Sequence, residues 1–367
     1  MKFKIPPSNH GNPDPDPLES RIPIPGPEVI SEEKVKAQLK PSILSRGIKI
    51  FLAIGVGAAV VILAFTVTGK TLEGLKDLEW YWLVTTGLLW LIATAADGAR
   101  LSVLARAAGY KMGIIRSAEV ILVGYFMAAV TPFQVGGLPL QLYSMNKLGI
   151  NPGKASAMLL MRGILFYVMI IAAAPFVATN LGVSSVLLKV LSVYIGIILT
   201  VGGIFIVLVL VFPRVMKRWG NKLKAHPNPG RFRRLLTRTF SEFDNFTAGL
   251  KLYLRGRNLG YIAVTIGLTV AYALAYFGMS ASLLAGLGVL AARNTLRVIG
   301  INLVLVSVLL YIPTPGASGV AEAGAAALYA MFCPKEMLGI FVVLWRLFSF
   351  YIGAFVGGVV AFKHVSK

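Results

Sequence analysis

The chain has 367 residues, of which 56% are hydrophobic and 14% charged, and its formal net charge at pH 7 is +21. Its mean hydropathy of +0.75 lies outside the range of soluble domains, in which about a quarter of the residues are charged. The single Cys333 excludes an intramolecular disulfide, and no paired Cys or His spacing indicates a metal site. We therefore expect no metal and no cofactor.

The N-terminal segment, residues 1–45, is polar and proline-rich, with stretches such as "IPPSNHGNPDPDP" and "IPIPGPEV". This composition favours disordered chain over a packed element. The segment also lacks the short apolar core of a secretory signal. We predict that it is a cytoplasmic tail.

Six apolar runs are each long enough to cross a hydrocarbon core of about 30 Å, which takes about 20 helical residues. They lie at 47–67, 80–99, 155–178, 187–212, 258–285 and 338–362. The pattern predicts an all-α polytopic membrane protein of about six full spans. Its predicted parts after the tail are a first membrane half, 46–212, a basic loop, 213–257, and a second membrane half, 258–367.

The positive charge is concentrated in the basic loop 213–257, which carries twelve Lys or Arg against two acids. Positively charged loops stay cytoplasmic, so both termini are expected to face the cytoplasm of a cell membrane. Arg293 and Arg297 fall on the outer side and violate this scheme. Because this rule already accounts for the charge, no nucleic acid partner is expected.

Within that loop, phenylalanines and leucines recur at helical spacing with arginines between them. This predicts an amphipathic helix that rests on the anionic inner membrane surface. The same pattern also fits a helix packed against the protein's own cytoplasmic face.

The stretch "TPFQVGGLPLQLYS", Thr131 to Ser144, interrupts an apolar region with prolines and glycines. The segment 117–130 before it has fourteen residues, which as a helix rise only about 21 Å and cannot cross the core. A second short helix, from about Leu140 to Leu148, can return to the same side. We therefore predict a re-entrant hairpin, 117–149, whose broken tip must be buried in protein or face a watery cavity.

A second stretch, "YIPTPGASGVAEAG", breaks the apolar segment 296–332 in the same way and predicts a second re-entrant hairpin. Each tip is followed by a helix that carries one arginine. The two copies are offset by 183 or 184 positions, which pairs Pro132 with Pro315, Gly136 with Gly319, and Arg162 with Arg346. The loop charges place the first hairpin on the cytoplasmic side and the second on the outer side, so we predict an inverted repeat.

Inverted repeats with discontinuous helices are typical of secondary transporters, whose sites lie at the repeat interface. Arg162 and Arg346 lie too deep to reach the surface easily and should pair with an acid, a carbonyl or a ligand phosphate. Glu322 is the candidate acid, and a purely structural Glu–Arg lock is the alternative. For Asp97 and Arg100, three residues apart, we expect a solvated pair at a helix end.

The candidate substrate-binding residues surround the two tips and include neutral donors that suit the oxygens of a head group. The same Gln and Ser side chains could instead satisfy broken backbone. The set comprises Thr131, Pro132, Gln134, Gly136, Gly137, Gln141, Tyr143, Arg162, Thr314, Pro315, Gly316, Ser318, Gly319, Glu322 and Arg346.

Two pairs of stretches resemble a known family: "TPFQVGGLPLQLYSMNKLGI" with "MRGILF", and "PTPGASGVAEAG" with "LWRLFSFYIGAFVGG". They are similar to the flippase-like family typified by the transmembrane domain of lysylphosphatidylglycerol synthases, the multiple peptide resistance factor proteins. The resemblance covers roughly residues 80–365 and implies movement of phospholipids or lipid-linked head groups between leaflets.

This sequence departs from the family pattern in two ways. Leu138 and Pro139 stand where the first glycine turn often continues with a glutamate, which puts an acidic role for that hairpin in doubt. The soluble aminoacyl-transfer domain of the synthases is absent from the chain, so lysyl transfer by this chain alone is not expected.

The leading hypothesis is a membrane lipid translocator with a polar cavity for an anionic head group at the repeat interface. One alternative is a membrane-embedded enzyme that acts on a lipid phosphate, although no HExxH, GxSxG or His–Asp cluster is visible. The other is a membrane scaffold that transports nothing. The expected partners are the lipid and the anionic membrane surface, and a homo-oligomer is compatible with all three hypotheses.

Overall fold

The fold is taken from a computed structural model that describes residues 79–131, 134, 136–180, 252–253 and 256–365, with isolated helical positions between 49 and 64 and between 193 and 204. In this part of the chain every long element is an α-helix. The helices are α1 Trp80–Ala107, α2 Ile114–Val130, α3 Gly137–Lys147, α4 Pro152–Asn180, α5 Leu259–Gly286, α6 Thr295–Leu309, α7 Val320–Tyr329, α8 Lys335–Arg346 and α9 Ile352–Val365. A π-helical turn, Leu347–Tyr351, joins α8 to α9.

Five segments of the described chain are long and apolar enough to cross a membrane. They are Trp80–Ala107, Pro152–Ile170, Leu259–Gly286, Ala292–Leu309 and Lys335–Lys363. Four coincide with predicted spans, which confirms the prediction of an all-α polytopic membrane protein. The other predicted spans, 47–67 and 187–212, lie largely outside the described residues, as do the tail 1–45 and most of the basic loop.

Helices α1 and α5, the first long helices of the two described halves, pack against each other in antiparallel orientation. At one end Thr86 Oγ1 donates to Ser282 Oγ at 2.9 Å, and at the other Tyr253 Oη donates to the carbonyl of Leu104 at 3.2 Å. A Cβ on Gly286 would lie 2.8 Å from Trp82 Cβ, so a glycine is needed where the helices meet. An inverted repeat requires opposed first helices, and the repeat itself stays a prediction.

Helices α2 and α3 form a hairpin of two short helices. Helix α2 has 17 residues and begins at Ile114, three residues before the expected start. It therefore rises about 25 Å, still less than a core of about 30 Å. The two helices touch closely, because a Cβ on Gly137 would lie 2.9 Å from the carbonyl oxygen of Gly124. Whether this hairpin is re-entrant is a matter of membrane depth and stays a prediction.

Helices α6 and α7 form the corresponding hairpin of the second half. Their connection contains Gly316 at φ 57° and Gly319 at φ 85°, backbone that favours glycine. A Cβ on Gly324 would lie 3.0 Å from Leu305 Cδ1, so the two helices pack side by side. The segment Ala292–Leu309 alone is long enough for a span, which leaves the predicted re-entrant course of 296–332 open.

Each half has its own apolar core, and the last helix connects them. One buried cluster is built mainly from α5 to α8, and another from α1, α2 and α4. Helix α9 crosses α2 so closely that a Cβ on Gly357 would lie 1.9 Å from the carbonyl oxygen of Leu122. The hairpin of the first half is thereby held against the second half.

Candidate functional site

The first turn of α7 and the end of α8 meet in a buried ion pair. Arg346 Nε donates to Glu322 Oε1 at 2.9 Å, and Arg346 Nη2 donates to the carbonyl of Gly316. Arg346 is 4% exposed and Glu322 2%. An arginine at this depth requires such partners, because an unpaired charge in low dielectric costs several kcal/mol.

Glu322 also stabilises the turn at which α7 begins. Its Oε2 accepts from the backbone N–H of Gly319 at 2.7 Å, and its Oε1 accepts from Tyr351 Oη at 3.3 Å. A carboxylate in the first helical turn is stabilised by the exposed backbone N–H groups there. The guanidinium of Arg346 stacks 4.1 Å from the ring centre of Phe350. The pair is therefore held by the turn before α7 and by aromatic side chains of the π-helical turn.

A second charged group lies where α1, α2 and α4 meet. Asp97 accepts from Arg100 Nη1 at 2.9 Å and from Tyr125 Oη at 2.7 Å. Asp97 is 0% exposed and Arg100 1%. The prediction of a solvated helix-end pair was wrong, because α1 continues to Ala107 and other helices cover this face.

Arg162 belongs to this second group and not to the first. Its Nε donates to Asp97 Oδ1 at 2.8 Å and its Nη2 to Oδ2 at 2.5 Å, a bidentate pair. Arg100 Nη2 in turn donates to the backbone carbonyl of Arg162 at 2.8 Å. The first hairpin has Pro139 in place of an acid, and Asp97 of α1 supplies the carboxylate. We call Asp97, Arg100 and Arg162 the Asp97 cluster.

A cavity of about 160 Å³ lies between the two hairpin turns. Gln134 lines it from the first turn, Gly316 from the second and Arg346 from α8. Gln134 Nε2 also donates to the carbonyl of Leu309 at 3.2 Å, which ties the turns together. Seven of the other lining residues are aromatic, namely Trp90, Tyr125, Phe166, Tyr272, Tyr276, Trp345 and Phe350.

Two of the predicted head-group residues form hydrogen bonds with the backbone of the turns. Thr131 Oγ1 accepts from the N–H of Gly136 at 3.0 Å and donates to the carbonyl of Met127. Thr314 Oγ1 donates to the carbonyl of Ser318 at 3.0 Å. The two threonines therefore stabilise the turns, and their binding of a head group stays a prediction.

The other predicted site residues take varied places. The side chain of Gln141 packs on Gly124, where a Cβ would lie 2.1 Å from its Nε2. Lys147 Nζ lies over the ring of Tyr143 at 5.2 Å. Neither Gln141 nor Tyr143 lines the cavity. Gly137 and Gly319 shape the two turns. Pro132 lies outside the described residues, and Pro315 begins a short 3-10 turn.

The aromatic wall and the Asp97 cluster were missed by the sequence interpretation. Tyr272 and Tyr276 lie one helical turn apart and stack with ring centres 5.6 Å apart. Tyrosines at this spacing inside an aliphatic span were the available signal. For Asp97 and Arg100 the signal was their position inside a long apolar helix, where an ionisable residue indicates a buried partner.

The described residues contain no group of three His, Cys, Asp or Glu that could hold a metal ion. Cys333, between α7 and α8, is 3% exposed, and burial raises the pKa of its thiol to about 12. It therefore stays protonated at neutral pH and is a poor nucleophile.

Long apolar helices and buried ion pairs define this chain as an all-α polytopic membrane protein. It matches the family described as the lysylphosphatidylglycerol synthase TM region over residues 50–357, and it belongs to that family. It is 26% identical to a UPF0104 membrane protein of Archaeoglobus fulgidus over 321 residues, which cover 84% of this chain and 94% of the relative. No solved structure matches the chain. The resemblance noted in the sequence is confirmed, and the relative's name states no activity.

Proposed function

We propose that this protein moves an anionic phospholipid or lipid-linked head group between the leaflets of the cytoplasmic membrane, and that it is not an enzyme. The observation that carries the proposal is the position of Arg346, which is almost fully buried and yet lines the cavity between the two turns. A cavity of about 160 Å³ suits a head group, while the acyl chains would stay in lipid.

The chemistry of Arg346 supports a phosphate ligand. Its Nε donates to Glu322 Oε1 and its Nη2 to the carbonyl of Gly316. A guanidinium can hold two phosphate oxygens in one plane, which lysine cannot do. An arriving phosphate would compete with Glu322 and the carbonyl of Gly316 for these N–H groups.

We also propose how the protein is oriented in the membrane. Both termini face the cytoplasm, and the basic loop 213–257 rests on the anionic inner leaflet. The loop charges support this arrangement.

Reconstitution in liposomes with labelled lipids tests the proposal. Wild-type protein is expected to exchange anionic lipid between leaflets, and Arg346→Lys to lose about tenfold of the rate, the worth of one charge-assisted hydrogen bond. Its melting temperature in detergent should change little, because the charge beside Glu322 is kept. Arg293→Lys, an exposed arginine outside the cavity, is the matched control.

Three outcomes would contradict the proposal. Chemical change of the labelled lipid would show an enzyme, and neither exchange nor chemistry would favour a scaffold. Full recovery of both melting temperature and exchange in the Arg346→Ala/Glu322→Ala pair would show that the two residues are only a structural lock.

A further inference from the structure

The Asp97 cluster carries more positive charge than its contacts neutralise. Two guanidinium groups, of Arg100 and Arg162, share the single carboxylate of Asp97. No other carboxylate of the described residues contacts Arg100. By contrast, Arg346 and Glu322 balance each other one to one. The described part of the second group therefore holds a buried excess of one positive charge.

One polar atom of this cluster has no partner. Arg100 is 1% exposed, and its Nε makes no hydrogen bond within the described residues. A buried donor without an acceptor is costly, and a buried unbalanced cation more so. An anion with several oxygens would satisfy both requirements at once.

Two tyrosines connect this cluster to the cavity. Tyr125 lines the cavity and donates its hydroxyl to Asp97 at 2.7 Å. Tyr272 lines the same cavity, and the guanidinium of Arg100 lies 5.3 Å from its ring centre. Each of the two tyrosines thus both lines the cavity and contacts the Asp97 cluster. Arg346 of the second half lines the cavity directly. The Asp97 cluster of the first half contacts two residues that line it, Tyr125 and Tyr272.

We propose that the Asp97 cluster is a second binding station for a phosphate group, closed from the cavity in this structure by Tyr125 and Tyr272. The proposal rests on the function given above: the head group binds beside Arg346 and is then passed to Arg100 and Arg162 when the two rings move apart. The ligand chemistry is a phosphate ester or free phosphate that accepts from guanidinium N–H groups.

The substitution Arg100→Met separates a binding station from a structural cluster. It removes the excess charge and leaves Asp97 with Arg162, a balanced bidentate pair, so folding should not suffer. If the cluster is a station in series with Arg346, leaflet exchange in liposomes should fall roughly tenfold or more, the worth of one charge-assisted hydrogen bond. Arg106→Met, an exposed arginine on the same helix, is the matched control and should exchange at the wild-type rate.

A binding measurement keeps the test independent of transport. The Arg346→Ala/Glu322→Ala protein lacks the cavity station but keeps its charge balance. Short-chain phosphatidylglycerol, or inorganic phosphate at equal ionic strength, should raise its melting temperature by occupying the Asp97 cluster. Adding Arg100→Met should abolish that rise, and the effective probe identifies the ligand as a lipid or a free phosphate.

The proposed function and the second binding station can each be refuted separately. If wild-type protein exchanges no lipid, the proposed function fails, and the probe-dependent melting shift still decides whether the cluster binds phosphate. If Arg346→Lys slows exchange while Arg100→Met exchanges at the wild-type rate, the second station is overturned and the first remains. A melting shift that persists unchanged in the Arg100→Met background overturns the binding site itself.

Discussion

At the scale of single residues, Asp97 is a buried carboxylate that serves as the counter-charge of two arginines. It accepts hydrogen bonds from Arg100, Arg162 and Tyr125 and is 0% exposed. We expect Asp97→Asn to leave the buried guanidinium of Arg100 and the partly buried one of Arg162 without a counter-charge, at a cost of about 3–5 kcal/mol. The detergent melting temperature should fall on the order of 10 °C.

The control for this substitution is Glu79→Gln, which changes an exposed carboxylate at the start of α1. Glu79 also accepts side-chain hydrogen bonds, from Trp82 at 3.0 Å and from Tyr81. Because solvent screens it, its loss should cost less than about 1 kcal/mol. Equal melting temperatures for the two variants would mean that the Asp97 cluster is hydrated in the folded protein.

At the scale of elements, the crossing of α9 over α2 depends on one glycine. A Cβ on Gly357 would lie 1.9 Å from the carbonyl oxygen of Leu122, and backbone cannot move as a side-chain tip can. Gly357→Ala must therefore push the helices apart, at a cost of about 1–3 kcal/mol or more. A lower melting temperature and slower lipid exchange are expected, because this contact holds the first hairpin against the second half.

Gly163→Ala in α4 is the matched control. Nothing lies within 4 Å of a Cβ at that position, and alanine is the better helix former by up to about 1 kcal/mol. Its melting temperature should equal or exceed that of the wild type. If Gly357→Ala behaves in the same way, the close approach of α9 to α2 is incorrect.

At the scale of the whole molecule, the orientation in the membrane can be tested by cysteine labelling on a Cys333→Ala background. Lys147→Cys, at the end of α3, and Arg293→Cys, before α6, are both exposed positions. The loop charges and the predicted re-entrant course of 117–149 place the first on the cytoplasmic side and the second outside. An impermeant maleimide added outside intact cells should therefore label only Arg293→Cys.

The Cys333→Ala protein without an added cysteine is the negative control for this experiment. Wild-type protein has one thiol, that of Cys333, which is buried and whose pKa is raised to about 12. It should label only after denaturation. Labelling of Lys147→Cys from the outside alone would overturn the orientation. Labelling of both positions from one side would refute the inverted arrangement of the two hairpins.

Much of this architecture was determined by the sequence alone. The lengths of the apolar runs located the spans that contain α1, α4 and α5 and the span Lys335–Lys363, which contains α8 and α9. A hydrocarbon core sets a minimum number of residues for each span. Proline and glycine located both turns, since they break helices whatever surrounds them. The same motifs identified the family, and Glu322 could be named as a candidate partner for a buried arginine because it is an acid directly after the second broken tip.

Only the tertiary structure decided which groups share a site. Arg162 pairs with Asp97, 65 positions away along the chain, and Tyr125 and Tyr272 stand between that pair and the cavity. A membrane span is apolar on nearly every side, so its sequence has no polar stripe to show which face meets a neighbour. The partner of a buried charge therefore depends on how the helices pack, and this is why Arg162 could not be assigned to Asp97 before the helices were assembled.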